Sequence, residues 1–121
     1  MDNRRFEKCV ARAIDGLPEE FRLHLENVDI VIADRPTRRQ MQGLDTRRGE
    51  TLLGLYEGVP LTERHHYDLV TPDKITIFQQ PIEALCRNDN EVVTEIQRVV
   101  RHEIAHHFGI SDARLEELDA Y

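Results

Sequence analysis

Residues 91–108 form the stretch that most constrains this chain: eighteen positions without Gly or Pro. A run of that length exceeds an ordinary strand and is read as a helix. Val92, Val93, Ile96, Val99, Val100 and Ile104 recur at spacings of three and four, as a buried helix face requires. At about 100° per residue these side chains fill an arc roughly 140° wide. Thr94, Arg98, Arg101 and Ala105 project to the opposite side. Glu103 points into the middle of the apolar arc, between Val92 and Ile96, and His107 points into it as well. His102 and His106 lie at one edge. An isolated buried carboxylate is costly and is normally paired or metal-associated, so the last two turns of this helix are expected to serve chemistry as well as packing.

Those turns read His102-Glu103-x-x-His106, followed by x-x-Gly109-x-x-Asp112. Four residues apart on a helix, His102 and His106 stack on one face and can share a zinc ion. Glu103 beside them can act as general base on a water at that zinc. Gly109 suits a left-handed helix stop. Ser111 suits the N-cap of a following helix, with Ile110 and Leu115 as its hydrophobic staple. A turn this tight can return Asp112 toward the two histidines. Two His and one carboxylate leave the fourth zinc position open, as in catalytic sites. Each part also has a plainer reading. Asp112 could merely complement a helix dipole, and His102 and His106 could be hydrogen-bonded core residues. His107 reads as a core residue or a partner behind the ligands.

Over these residues the sequence resembles the extended zinc motif of the zincin-like metallopeptidases, in the form with Asp where metzincins carry a third His. Pro60-Leu61-Thr62-Glu63-Arg64, Ile75-Thr76-Ile77-Phe78, Pro81-Ile82-Glu83 and Arg114-Leu115-Glu116-Glu117-Leu118 extend the resemblance to the small bacterial minimal zincins. The resemblance implies His102, His106 and Asp112 as zinc ligands and Glu103 as catalytic base. Metzincins have a Met-containing turn beyond the third ligand, whereas no Met follows Met41 here.

The remainder of the chain fits a support for that helix. A length of 121 residues suits one domain, residues 1–121, with a single core. A net charge of −7 argues against general binding of nucleic acid or anionic membranes. No apolar run has the length of a signal peptide or membrane span. Cys9 and Cys86 stand alone, outside any metal-ligand spacing, and read as buried thiols of a reducing compartment. The expected location is cytoplasmic.

Phe6, Cys9, Val10, Ala13, Ile14 and Leu17 have helical spacing up to Pro18, and Phe21 and Leu23 suit a short turn or linker. Residues 28–33 read as a largely buried strand with Asp29 as a strand-edge carboxylate, and residues 51–56 as a second strand in which Gly54 permits a bulge or close approach. Between them, residues 34–50 read as a long polar loop, either solvated or a basic flap near the cleft. The irregular stretch that follows holds His65, His66 and Tyr67, of which one could stabilise an oxyanion; such a cluster is more often surface or turn. Residues 74–79 give the clearest strand, and it is the expected edge along which a peptide substrate would lie. Pro81 suits the first turn of a short helix to about Cys86, with Asp89 or Asn90 capping the long helix. Glu116 and Glu117 fall on a terminal helix and read as a solvated face.

The expectation is an α+β, zincin-like fold: a small mixed sheet of three to four strands packed with an active-site helix at about 91–108 and supporting helices. The expected function is zinc-dependent peptide hydrolysis, with Zn2+ on His102, His106 and Asp112 and Glu103 as base. The alternative is a zinc-binding or metal-free interaction module that retains the site without proteolysis.

Overall fold

The computed structural model describes residues 1–42, 52–58 and 72–109. Helix α1, Asn3–Asp15, begins at Asp2, whose carboxylate accepts from the Arg5 amide at 2.7 Å. Its apolar stripe, Phe6, Cys9, Val10 and Ala13, is buried. After Gly16 and Pro18 comes α2, Glu19–His24, so the expected linker is a short helix that buries Phe21. Strand β1, Val28–Ala33, has the expected bounds but is not largely buried. It alternates, with Asp29 and Val31 exposed on one face, and among the described strands it is paired on one side only. Asp29 is thus the strand-edge carboxylate that the sequence suggested.

Residues 38–41 depart from the expected loop. They form α3, Arg38–Met41, closed by a capping box in which the Thr37 hydroxyl accepts from the Gln40 amide and the Gln40 side chain accepts from the Thr37 amide. Strand β2 is Gly54–Glu57 and β3 is Asp73–Phe78. Helix α4, Gln79–Leu85, starts directly at the end of β3, so Gln79 belongs to the helix and Pro81 to its first turn. The long helix, α5, is Asp89–Phe108.

The sheet has the order β1-β3-β2. β1 runs parallel to β3, with Ile30 opposite Ile75, and β2 runs antiparallel to it, with Tyr56 opposite Ile75. The three described strands fit the expected small mixed sheet. One expectation is overturned: the strand at 74–79 is not an edge. β3 is paired on both sides, and its Ile75, Ile77 and Phe78 are fully buried. Its two-sided apolar character reflects that central place. Among the described residues the edges are β1 and β2.

α5 lies in the centre of the helical layer. Phe6, Cys9, Val10 and Ala13 of α1, Phe21 of α2, Ile75 and Ile77 of β3, and Ile82 of α4 enclose its Val92, Ile96, Val100 and Ile104 in one core. Polar ties fix α1 along the first half of α5: Arg5 Nε to Asp89 Oδ2 at 3.0 Å, Arg12 to Asn90 at 3.2 Å, and Gln97 Nε2 to the Ala13 carbonyl at 3.1 Å. Both cysteines are free, and only Cys9 is buried; Cys86, at the end of α4, is half-exposed, which corrects the expectation of two buried thiols. No helix among the described residues is long and apolar enough to cross a membrane.

Gly54 realises the close approach expected of it. A Cβ there would overlap Val99 Cγ1 of α5 and stand 3.2 Å from the Thr76 carbonyl oxygen. Only a residue without a side chain lets β2 lie this near the helix. Gly54→Ala should therefore cost about 1–3 kcal/mol by overpacking, measured as a lower midpoint in thermal or urea unfolding. A midpoint equal to that of the parent chain would mean that β2 and α5 can separate freely.

Candidate active site on the second half of helix α5

The first turn of α5 is closed by Asn88, one residue before the expected caps. Its side chain accepts from the Glu91 amide at 2.9 Å, and the Glu91 carboxylate accepts from the Arg87 amide at 3.1 Å. At the other end Gly109 takes φ 69° and ψ 31°, the left-handed stop expected from the sequence, and donates its N–H to the Ala105 carbonyl.

Between these ends the helix passes from core to open site. Ile104 and Ala105 are buried, His102 and Glu103 are half-buried, and His106 and His107 are exposed. The rings of His102 and His106 have centroids 5.1 Å apart on one face. Zinc binds imidazole nitrogen at about 2.0–2.1 Å, so one ion between rings at this separation is within reach of a nitrogen from each. The two histidines therefore fit as a ligand pair. Burial lowers the pKa of His102, helped by the neighbouring His106 and by Arg98, which favours the neutral ring that a metal requires.

Glu103 is held from the strand side. The backbone N–H of Tyr56 donates to Glu103 Oε2 at 3.2 Å. Burial raises the carboxyl pKa, against the opposing effects of that hydrogen bond and of His106. A carboxyl shifted this way takes up a proton more readily than an exposed one, which suits a general base. A cleft of about 170 Å³ adjoins the pair, lined by Leu52, Leu53, Gly54, Arg98, Val99, His102 and Glu103.

The structure brings together His102, His106 and Glu103. Asp112, expected as the third ligand, lies outside the described residues, as do His65, His66 and Tyr67 and residues 43–50 of the 34–50 segment. Among the described residues no three His, Cys, Asp or Glu side chains converge as a metal site. His107 departs from its expected role. It is exposed rather than part of the core, and it stacks on Tyr56, centroids 3.8 Å apart and rings inclined by 17°. Tyr56 and Asp73 are the site-adjacent residues that the sequence did not single out. The Tyr56 hydroxyl donates to Asp73 Oδ2 at 2.8 Å.

The family model for zincin-like metallopeptidases matches residues 25–121, from just before β1 through the whole motif-bearing helix and beyond. No curated protein matches the chain significantly.

Proposed function

Since the chain belongs to the zincin-like metallopeptidase family, we propose that it is a zinc-dependent hydrolase of peptide bonds. The observation that carries this reading is the placement of the Glu103 carboxylate. It lies half-buried on the helix face that carries the two imidazoles and is hydrogen-bonded to β2, an edge among the described strands, beside a cleft lined by His102 and Glu103. His102 and His106 would hold the zinc, with Asp112 as third ligand. When bound, zinc supplies a Lewis acid that polarises a carbonyl and acidifies water. Glu103 takes the proton released when water attacks the scissile carbonyl and passes it to the leaving amine.

β2 replaces β3 as the strand beside which substrate would lie. Phe78 N–H donates to the Leu53 carbonyl, so Leu53 turns its carbonyl toward β3. Alternation along an antiparallel strand then turns the peptide groups of Gly54 and Tyr56 outward, and the Tyr56 N–H does point that way, to Glu103. An extended peptide added to this edge would run past the cleft lined by His102 and Glu103.

Metal content tests the reading first. Protein purified without chelator should contain about one zinc per chain, and His106→Ala should lose it, because two remaining donors bind zinc poorly. Metal-loaded parent protein should cleave members of a diverse peptide library. Stoichiometric zinc without any cleavage would instead favour a zinc-binding interaction module. No uptake of added zinc would end the metallopeptidase reading.

A further inference from the structure

We propose that Tyr56 is a positioning residue for the general base, held in place by Asp73 and His107 so that its amide fixes the Glu103 carboxylate. This rests on the reading of Glu103 as base. Tyr56 is restrained at three points. Its backbone N–H donates to Glu103 Oε2 at 3.2 Å. Its hydroxyl donates to Asp73 Oδ2 at 2.8 Å, and Asp73 is the first residue of the central strand. Its ring stacks on His107 at 3.8 Å and meets Phe108 edge-on at 5.9 Å, inclined by 87°.

Together these contacts join the edge strand, the central strand and the end of the helix that carries the histidines. Asp73 and His107 flank the strand closely. A Cβ built on Gly58 would stand 3.6 Å from both Asp73 Oδ1 and His107 Cε1.

Packing alone does not explain the arrangement. The Tyr56 ring packs against the core, but Tyr56 and Asp73 are only half-buried and His107 is exposed, so the group lies on the rim. Among the described residues, the Tyr56 amide is the one hydrogen-bond donor to Glu103, and it takes Oε2, leaving Oε1 for the travelling proton. A carboxylate ends a chain with several rotatable bonds, and a single N–H aimed from a rigid strand selects one orientation. Small displacements of a reacting group are costly: about 1 Å can lower the rate a hundredfold. The side-chain contacts of Tyr56 therefore act at a distance, by fixing where its amide lies.

The test combines NMR with kinetics on the full-length, zinc-loaded chain. In Glu103→Ala the Tyr56 amide should move upfield and exchange with solvent at least about tenfold faster, with zinc content unchanged. An unmoved amide would overturn the proposal. For a library peptide that the parent cleaves, Tyr56→Phe and Asp73→Ala should each lower kcat about ten- to a hundredfold and leave KM within about twofold. Asp73→Asn, which keeps an acceptor for the hydroxyl, should restore kcat. Losses confined to KM, or an Asp73→Asn variant as impaired as Asp73→Ala, would also overturn it. A responsive Tyr56 amide in a protein that cleaves no peptide would uphold the positioning contact while refuting the hydrolase reading, so the two can fail separately.

Discussion

Glu103→Gln should leave the protein folded and zinc-loaded while lowering kcat for peptide hydrolysis by about 10²–10⁴-fold, the range expected on removing a general base. The substitution is close to isosteric. The Gln carbonyl oxygen can still accept from the Tyr56 amide, so the contact between β2 and α5 survives. What disappears is proton uptake. A variant that hydrolyses peptides at the parental rate would remove Glu103 from the mechanism.

The same variant should have an opposite effect on stability. Burial raises the folded-state pKa of Glu103 above its ordinary value of 4.5. The folded chain therefore holds this proton more tightly than the unfolded chain does. That stabilising contribution is fully present below the ordinary carboxyl pKa and is lost as pH rises through the raised folded value. Above that raised pKa the metal-free protein keeps an ionised, half-buried carboxylate, whereas the Gln variant holds a neutral amide. Metal-free Glu103→Gln should then melt above the metal-free parent at pH values above the raised pKa, with the gap closing as pH falls below it. His102, common to both proteins, moves oppositely. Its lowered pKa favours folding above its ordinary value and costs stability as pH drops through that range, so only the difference between the proteins isolates Glu103.

Ile96→Ala is the corresponding change in the core, and its expected cost is about 2–5 kcal/mol. Ile96 is fully buried within the cluster formed by α1, α5, α4 and the sheet. Small domains are stable by only about 5–15 kcal/mol, so this deletion removes a large share of the total. Urea unfolding should show a much lower midpoint with an unchanged slope. Zinc stoichiometry at low temperature should stay at the parental value, because Ile96 lies in the core, six residues before His102 on the helix. A loss under about 1 kcal/mol would mean that the α5 face packs loosely. Ile96 and Glu103 are seven residues apart and project in nearly the same direction from one helix. One substitution tests the fold and the other tests the chemistry.

The sequence made α5 legible because its signal is local: apolar spacing, a run without Gly or Pro, and a Gly stop at the end. It also showed Glu103 in the apolar arc and the two histidines beside it. It could not show where along the helix the core ends. Angular position placed His107 among the buried residues, but the polar ties of α1 stop at the first half of α5, and at the last turn the exposed side chain meets only the rim of the sheet, where it stacks on Tyr56 of β2. Strand order was hidden for a different reason. β1 pairs with residues more than forty positions later, and nothing in the apolar run at 74–79 distinguishes a central strand from an edge. The Tyr56 contact to Glu103 spans forty-seven positions and uses a backbone N–H, a group every residue but Pro possesses, so it leaves no mark in the sequence. The α3 capping box did leave one, Thr37-x-x-Gln40, within a segment whose charge and length suggested only a loop.

The ties between α1 and α5 have a consequence for where this protein begins as a physical object. The family match starts at residue 25, after both α1 and α2 have ended. Yet Phe6, Cys9, Val10, Ala13, Leu17 and Phe21, all buried, cover the apolar side of the helix that carries His102 and Glu103. A polypeptide cut to the matched stretch would retain His102, Glu103 and His106 while exposing the apolar side of the helix that carries them. The stretch that the family shares is therefore shorter than the body of packed side chains around that helix, and the first twenty-four residues belong to the second without belonging to the first.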